Sequence, residues 1–191
     1  DEKFGGELNE IEGLKLIKYS CDHNNPTGLN CYGYLNDLGI AGVDEDVEKA
    51  FKYYKKAADL GDPAALSNVG NCYKNGHGVQ KNVDLGLKYL KLALEEGSSR
   101  AAMLIASTIS DSDCVSKVDR EKAAEYFRLS VDMGSRSAIY EYCCFLFNDT
   151  NNLQKNAEEL RKYLSIGYKL KEIDTMQLMG ALYLDGGVVY D

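Results

Sequence analysis

The sequence predicts an all-α fold, a right-handed α-α superhelix (solenoid) of stacked helical hairpins, and three features in register carry that reading. Only two prolines occur, Pro26 and Pro63. Proline is tolerated at the first turn of a helix and breaks its interior, so helices are expected to begin at both positions. Tyr53, Tyr89, Tyr126 and Tyr163 follow one another at steps of 36, 37 and 37 residues. Small residues keep the same step: Gly61, Gly97 and Gly134 are followed four residues later by Ala65, Ala101 and Ala138. Gly33, Gly70, Ala106, Cys143 and Gly180 form a second small-residue series. A period of this length marks supersecondary units that bury their apolar faces by stacking.

Taken in order, Leu8 to Cys21 reads as the second helix of a unit whose first helix is absent, so 1–23 is a partial repeat. Repeats are expected at 24–60, 61–96, 97–133 and 134–170, with a truncated one at 171–191, all within a single solenoid spanning 1–191. In the clearest repeat the first helix runs from about Pro63 to Lys74, with Leu66, Val69, Gly70 and Tyr73 on one face at helical spacing. Asn75-Gly76-His77-Gly78 ends it, since glycine accepts the left-handed conformation used at helix ends. A second helix from about Val83 to Glu96 turns Leu87, Leu90 and Leu94 inward, and Gly97-Ser98-Ser99 leads to the next unit. Strand-type alternation is absent, and about ten helices are expected. In the last repeat Lys171 and Thr175 replace the Gly and Ala of the earlier ones, and the chain ends after the turn Gly186-Gly187-Val188. Neither end shows a clear capping repeat, and the expectation is a segment of a longer protein.

Composition narrows the function classes. Hydrophobic residues at 45% and charged residues at 27% are ordinary for a globular chain and exclude disorder. No apolar run reaches the roughly 20 residues that span a bilayer, so no membrane insertion is expected. A net charge of −8 argues against nucleic acid and anionic membrane as partners.

The aligned repeats read small-x-x-x-apolar-Gly-x-apolar-Tyr-x-x-Gly-x-Gly-Val, then Asp-x-x-Lys-Ala and Tyr, then Ala-Ala-x-x-Gly. The best first half is Ala65 to Val79, containing Val69-Gly70-Asn71-Cys72-Tyr73 and Gly76-His77-Gly78-Val79. The best second half is Asp46 to Gly61, with Asp46-Val47-Glu48-Lys49-Ala50 and Ala57-Ala58-Asp59-Leu60-Gly61. This pattern resembles the Sel-one-like repeat (SLR) family, close to the tetratricopeptide repeats, over nearly the whole chain. Repeat three keeps Asp119-Arg120-Glu121-Lys122-Ala123 but carries Ser112-Asp113-Cys114 where Gly-x-Gly is expected, and repeat four carries Asn148 to Asn152 there. Helix pairing is expected to survive these departures and the loops to differ. For function the resemblance implies an adaptor that holds other proteins in complexes.

No catalytic constellation or cofactor site is read from the residues. His23 and His77 both fall in expected turns, where a solvated residue is the simplest role. Cys21-Asp22-His23 lacks the partners that would complete a tetrahedral metal site. Asp44, Glu45 and Asp46 lead into a helix, where acids favour the positive end of the dipole. Lys52, Lys55 and Lys56 read as solvated helix surface, with Glu48 one turn away. The six cysteines, Cys21, Cys31, Cys72, Cys114, Cys143 and Cys144, occupy different repeat positions, so free thiols are expected, several of them buried. That favours a reducing, cytoplasmic compartment, while the sequon Asn148-Asp149-Thr150 leaves the secretory pathway and endoplasmic-reticulum lumen open.

What remains is a surface. If the first helices line a concave face, residues one after the small site and three before it should face the groove. These are Asn30 and Tyr34, Ser67 and Asn71, Met103 and Ser107, Tyr140 and Cys144, Gln177 and Ala181, with Lys74, Asn75 and Phe147 extending the row. Amides can bind a peptide backbone, while Tyr and Met give adaptable contact area. The function expected is a non-catalytic scaffold or adaptor binding a protein or peptide segment, its oligomeric state undetermined. The alternative is a regulatory or targeting region of a longer enzyme.

Overall fold

The computed structural model describes residues 10–111, 116–149 and 152–184. Leu8, Cys114 and the Gly186-Gly187-Val188 turn lie outside them. Among the described residues all regular structure is helical: α1 (Glu10–Asp22), α2 (Pro26–Leu38), α3 (Val47–Asp59), α4 (Pro63–Asn75), α5 (Val83–Glu95), α6 (Ser99–Ser110), α7 (Lys117–Asp132), α8 (Ser137–Asn148), α9 (Leu153–Lys169) and α10 (Ile173–Leu184). The pairs α2–α3, α4–α5, α6–α7 and α8–α9 form helical hairpins. The chain divides into two compact units, Asp1–Ser98 and Ser99–Asp191. In the first, α1 packs on α2 and α3 on α4; in the second, α7 packs on α8 and α9 on α10.

Helix boundaries follow from local chemistry. Pro26 and Pro63 open α2 and α4, and the side chains of Asn25 and Asp62 accept from the backbone N–H of Gly28 and Ala65. Asp46, the last acid of the 44–46 run, caps α3 by accepting from Lys49 N at 2.9 Å. Asn82 does the same for α5 through Leu85 N at 3.0 Å. Each such cap stabilises its helix by about 1 kcal/mol. Gly39 and Gly76 end α2 and α4 in the left-handed conformation, with φ of 62° and 76°.

The two repeats with no glycine in the turn after the first helix differ in a definite way. α3 and α5 have 13 residues each, whereas α7 has 16 and α9 has 17. All four end in the same register, so the additional turn lies at the N-terminal ends of α7 and α9. Where glycine does not force the chain to turn, the second helix starts earlier. Ser116 takes over as cap of α7, accepting from Asp119 N at 3.1 Å.

The core is a column of aliphatic and aromatic side chains within each unit. Leu29, Tyr54, Leu66, Val69 and Leu90 are buried in the first. Phe127, Tyr142, Leu160, Tyr163 and Leu164 form one cluster in the second, each contributing about 1.5–3 kcal/mol by its burial. Small residues set how closely the helices approach. At the last crossing Thr175 stands where other repeats have alanine, and the residue facing it is Gly167, whose added Cβ would lie 2.3 Å from Thr175 Cγ2. Gly28 likewise faces Ser20, at 2.3 Å from Oγ. The larger partner is accommodated by removing the Cβ opposite.

The lysines of α3 are more engaged than a solvated surface would require. Lys55 pairs with Asp59 and lies over the Tyr89 ring, Lys56 over Tyr53, and Lys49 over Tyr32. Lys52 is exposed. In each case the ammonium nitrogen itself stands 5.4–5.8 Å from the ring centroid, the geometry of a cation–π contact.

Candidate functional site

In the first unit the first helices α2 and α4 lie close enough for Asn68 Nδ2 to donate to Asn30 Oδ1 at 2.9 Å. One turn further along α4, Asn75 Nδ2 donates to Asn71 Oδ1 at 3.0 Å. Tyr34 projects from α2 with 51% of its surface exposed. Asn30, Asn71 and Lys74 are half-buried and Asn75 is exposed, so this face carries a patch of side-chain amides beside an aromatic ring. Asn68 was not among the expected groove residues, because its partner is 38 positions away and only the stacking brings them together.

Ser67 corrects the expected row. It is fully buried, its hydroxyl donating to the Pro63 carbonyl at 3.1 Å and lying 2.8 Å from Ser98 Oγ. A short side chain at this register stays beneath the surface, whereas longer ones at the equivalent positions reach outward.

In the second unit Met103 and Ser107 on α6 and Tyr140 and Cys144 on α8 are all half-buried, and Gln177 on α10 is exposed. Ser137 Oγ donates to Met103 Sδ at 3.6 Å, and Ser107 Oγ to the Leu104 carbonyl at 3.2 Å. Phe147 packs against the core cluster, so its ring is only partly available. Tyr140 hydrogen-bonds Cys144 one turn later, which holds its phenol above the ordinary tyrosine range. Burial is the main influence on Cys144 and raises its thiol pKa. A cavity of about 270 Å³ opens beside these residues, with Ser107, Glu141, Cys144 and Asn148 among its lining.

Polar side chains elsewhere are organised without a reactive centre. His77 lies 2.6 Å from Asp37 Oδ1, and the Tyr54 hydroxyl donates to Asp37 Oδ2 at 3.2 Å. His77 is an exposed turn residue, as the sequence suggested, and through Asp37 it also links two hairpins. His23 stays exposed, its Nδ1 2.8 Å from the Tyr19 carbonyl oxygen. Among the described residues no group of three His, Cys, Asp or Glu side chains converges as a metal site. Nor, among the described residues, is any helix long and apolar enough to cross a membrane.

Among the described residues Cys21, Cys31, Cys72, Cys143 and Cys144 form no disulfide. Desolvation pushes the Cys143 thiol up to about 12, so it stays protonated through neutral pH. Cys31 is exposed, and Cys72 and Cys143 are buried. With a thiol reagent at pH 8, Cys31 should be modified first and Cys72 and Cys143 last. All six cysteines of the chain should react after unfolding in urea without reductant. Peptide mapping by mass spectrometry reads the order, and fewer than six modified sites in urea would reveal a disulfide.

Comparisons with known proteins agree with this architecture. The Sel1 repeat model matches residues 30–62, 63–98 and 99–135. A Sel1 repeat protein from Oxalobacter formigenes superposes with a TM-score of 0.68 at 24% identity, covering 91% of this chain and 76% of that one. The uropathogenic Escherichia coli antigen c5321, which displays an SLR fold, gives a TM-score of 0.67 at 18% identity, covering 93% and 37%. Among curated proteins, a cytochrome c oxidase assembly factor 7 homolog of Drosophila melanogaster is 42% identical over 53 residues, 28% of this chain. The ERAD-associated E3 ubiquitin-protein ligase component HRD3A of Arabidopsis thaliana is 30% identical over 69 residues, 36% of this chain. Chitin synthase regulatory factor 3 of Schizosaccharomyces pombe is 31% identical over 98 residues, 50% of this chain. The matches span only 20%, 10% and 10% of the lengths of these three relatives. With three consecutive repeats matched over more than half of its residues, in hairpins of the same fold, the chain belongs to the Sel1 repeat family, whose repeats mediate protein–protein interactions.

Proposed function

We propose that the protein is a non-catalytic scaffold or adaptor in which the first-helix face of each unit takes an extended peptide segment of a partner. The amide patch of α2 and α4 supports this reading most directly. The Asn68–Asn30 and Asn75–Asn71 bonds use one donor and one acceptor from each pair. The amides of Asn30, Asn71 and Asn75 have further donor or acceptor capacity, which a peptide backbone can engage. Tyr34 beside it, and Met103 and Tyr140 in the second unit, supply the adaptable contact area of protein interfaces.

A display selection with a random peptide library, followed by amide-shift mapping by NMR, tests the proposal. Selected peptides should perturb Asn30, Tyr34 and Asn71, or Tyr140 and Cys144. Perturbation confined to the second helices α3, α5, α7 and α9 would overturn it. The relatives favour a second reading, a regulatory or targeting region within a longer protein. One of them is named as a chitin synthase regulatory factor, and the match covers only 10% of its length.

A further inference from the structure

The Gly-x-Gly turn of the first unit and its replacement in the second produce different surfaces. Gly78, with φ of 66°, is pressed so closely onto the start of α3 that an added Cβ would lie 2.1 Å from the Val47 carbonyl oxygen. The turn after a first helix thus seals the N-terminal end of the preceding second helix. In the repeat register, Val47 corresponds to Arg120 and the Gly76-His77-Gly78 turn to positions 149–151. There the glycine is missing and α7 and α9 each begin about one turn early. A cavity of about 310 Å³ lies between them, with Ala124 and Phe145 as its apolar lining.

The charges around this cavity are arranged in two layers. Arg120 pairs with Asp149 at 3.2 Å and lies over the Phe145 ring, 5.6 Å from its centroid. Asp149 is buried to 6% exposure and accepts from Asn152 Nδ2 at 3.2 and 3.1 Å. Arg128 pairs with Glu159 at 3.4 Å, and the Tyr142 hydroxyl donates to the same carboxylate at 2.9 Å. Lys117 and Lys155, carried on the additional turns, are exposed, and among the described residues neither they nor Glu121 has an ion-pair partner. Four cations and three acids give the lining a net charge of +1, opposite in sign to the −8 of the chain.

We infer that the cavity between α7 and α9 is a second binding site, which takes one aspartate or glutamate side chain of an acidic peptide on Lys117 and Lys155. The net charge decides the ligand class. A single carboxylate neutralises it, whereas a phosphate group of about −2 leaves an excess charge beside Glu121, Asp149 and Glu159. The volume is at the lower end of ligand pockets, enough for a side chain with adjacent backbone and too small for a large cofactor. Arg120 and Phe145 also line the cavity beside Cys144, so they form the wall between this site and the first-helix face.

The probes are the capped pentapeptides acetyl-Gly-Ala-Glu-Ala-Gly-amide and its glutamine counterpart, with phenyl phosphate as a third ligand, each titrated into the intact chain by amide-shift NMR. The glutamate peptide should bind with a Kd of about 1 mM at low salt and shift the amides of Lys117, Arg120 and Lys155. The glutamine peptide should bind about tenfold more weakly. The double variant Lys117→Ala/Lys155→Ala, which alters only exposed side chains, should lose about fivefold in affinity. Glu121→Gln should bind the glutamate peptide more tightly. Equal shifts from the glutamine peptide, tighter binding of phenyl phosphate, or an unchanged Kd in the double lysine variant would each overturn the inference.

Discussion

Gly70→Leu should lower the melting temperature of the chain by about 10 °C. Gly70 lies on α4 at the crossing with α5, where an added Cβ would be 2.7 Å from Leu90 Cγ and 3.0 Å from the Gly86 carbonyl oxygen. The second of those neighbours is backbone, and Gly86 approaches Gly70 equally closely, with its own added Cβ 2.8 Å from the Gly70 carbonyl oxygen. A leucine cannot be housed by one rotamer change. It must push two helices apart, at a cost of about 3 kcal/mol or more. Contacts in a solenoid run between neighbouring elements, so the damage should stay in the first unit, broadening the unfolding transition as well as lowering its midpoint. Gly13→Leu is the control: that glycine is exposed within α1, and among the described residues an added Cβ meets nothing beyond its own helical turn within 4 Å. It should gain slightly from the higher helix propensity of leucine. Calorimetry on both variants reads the difference, and a Gly70→Leu protein that melts like the parent would mean the two helices do not meet there.

The reasons for this legibility are local. Pro26, Pro63 and Gly76 act within a few residues, so sequence alone locates those helix ends, and the caps at 25, 46, 62 and 82 that the structure adds are as local. Repetition then does what an alignment would do: Gly33 and Gly70 stand in one register because each crosses its partner helix at close range. Features joining residues about one repeat apart were not visible in the same way. The Asn30–Asn68 bond, the His77–Asp37 contact and the burial of Ser67 under Ser98 depend on how successive hairpins stack. The exchange of Ala for Thr at 175 read as divergence, yet it is matched by glycine at 167. A volume exchange between two registers has no periodic signal to reveal it. The early starts of α7 and α9 did have a signal, the loss of every glycine from the preceding turn, whose consequence was a longer helix and a cavity instead of merely a different loop.

Tyr140→Ala should weaken binding of a peptide selected on the second unit about thirtyfold while leaving the melting temperature nearly unchanged. Interfaces concentrate their energy in a few residues, aromatic ones especially, set where water is excluded on binding. Tyr140 stands in the middle of the first-helix series of the second unit, on α8, between the helices that carry Met103 and Gln177. In the free protein its ring is half-buried and its hydroxyl is engaged by Cys144, on its own helix. Removing it therefore breaks no contact that joins one helix to another through a hydrogen bond, and the core residues Tyr142 and Cys143 beside it stay in place. Tyr140→Phe separates the two contributions of the side chain. It keeps the contact area and loses the hydroxyl, so affinity should fall by about threefold or less if the ring is the anchor. Titration calorimetry and thermal melting on both variants give the paired readout. A large drop in melting temperature for Tyr140→Ala would assign the ring to the core. Unchanged affinity with unchanged stability would move peptide binding off the first-helix face of this unit.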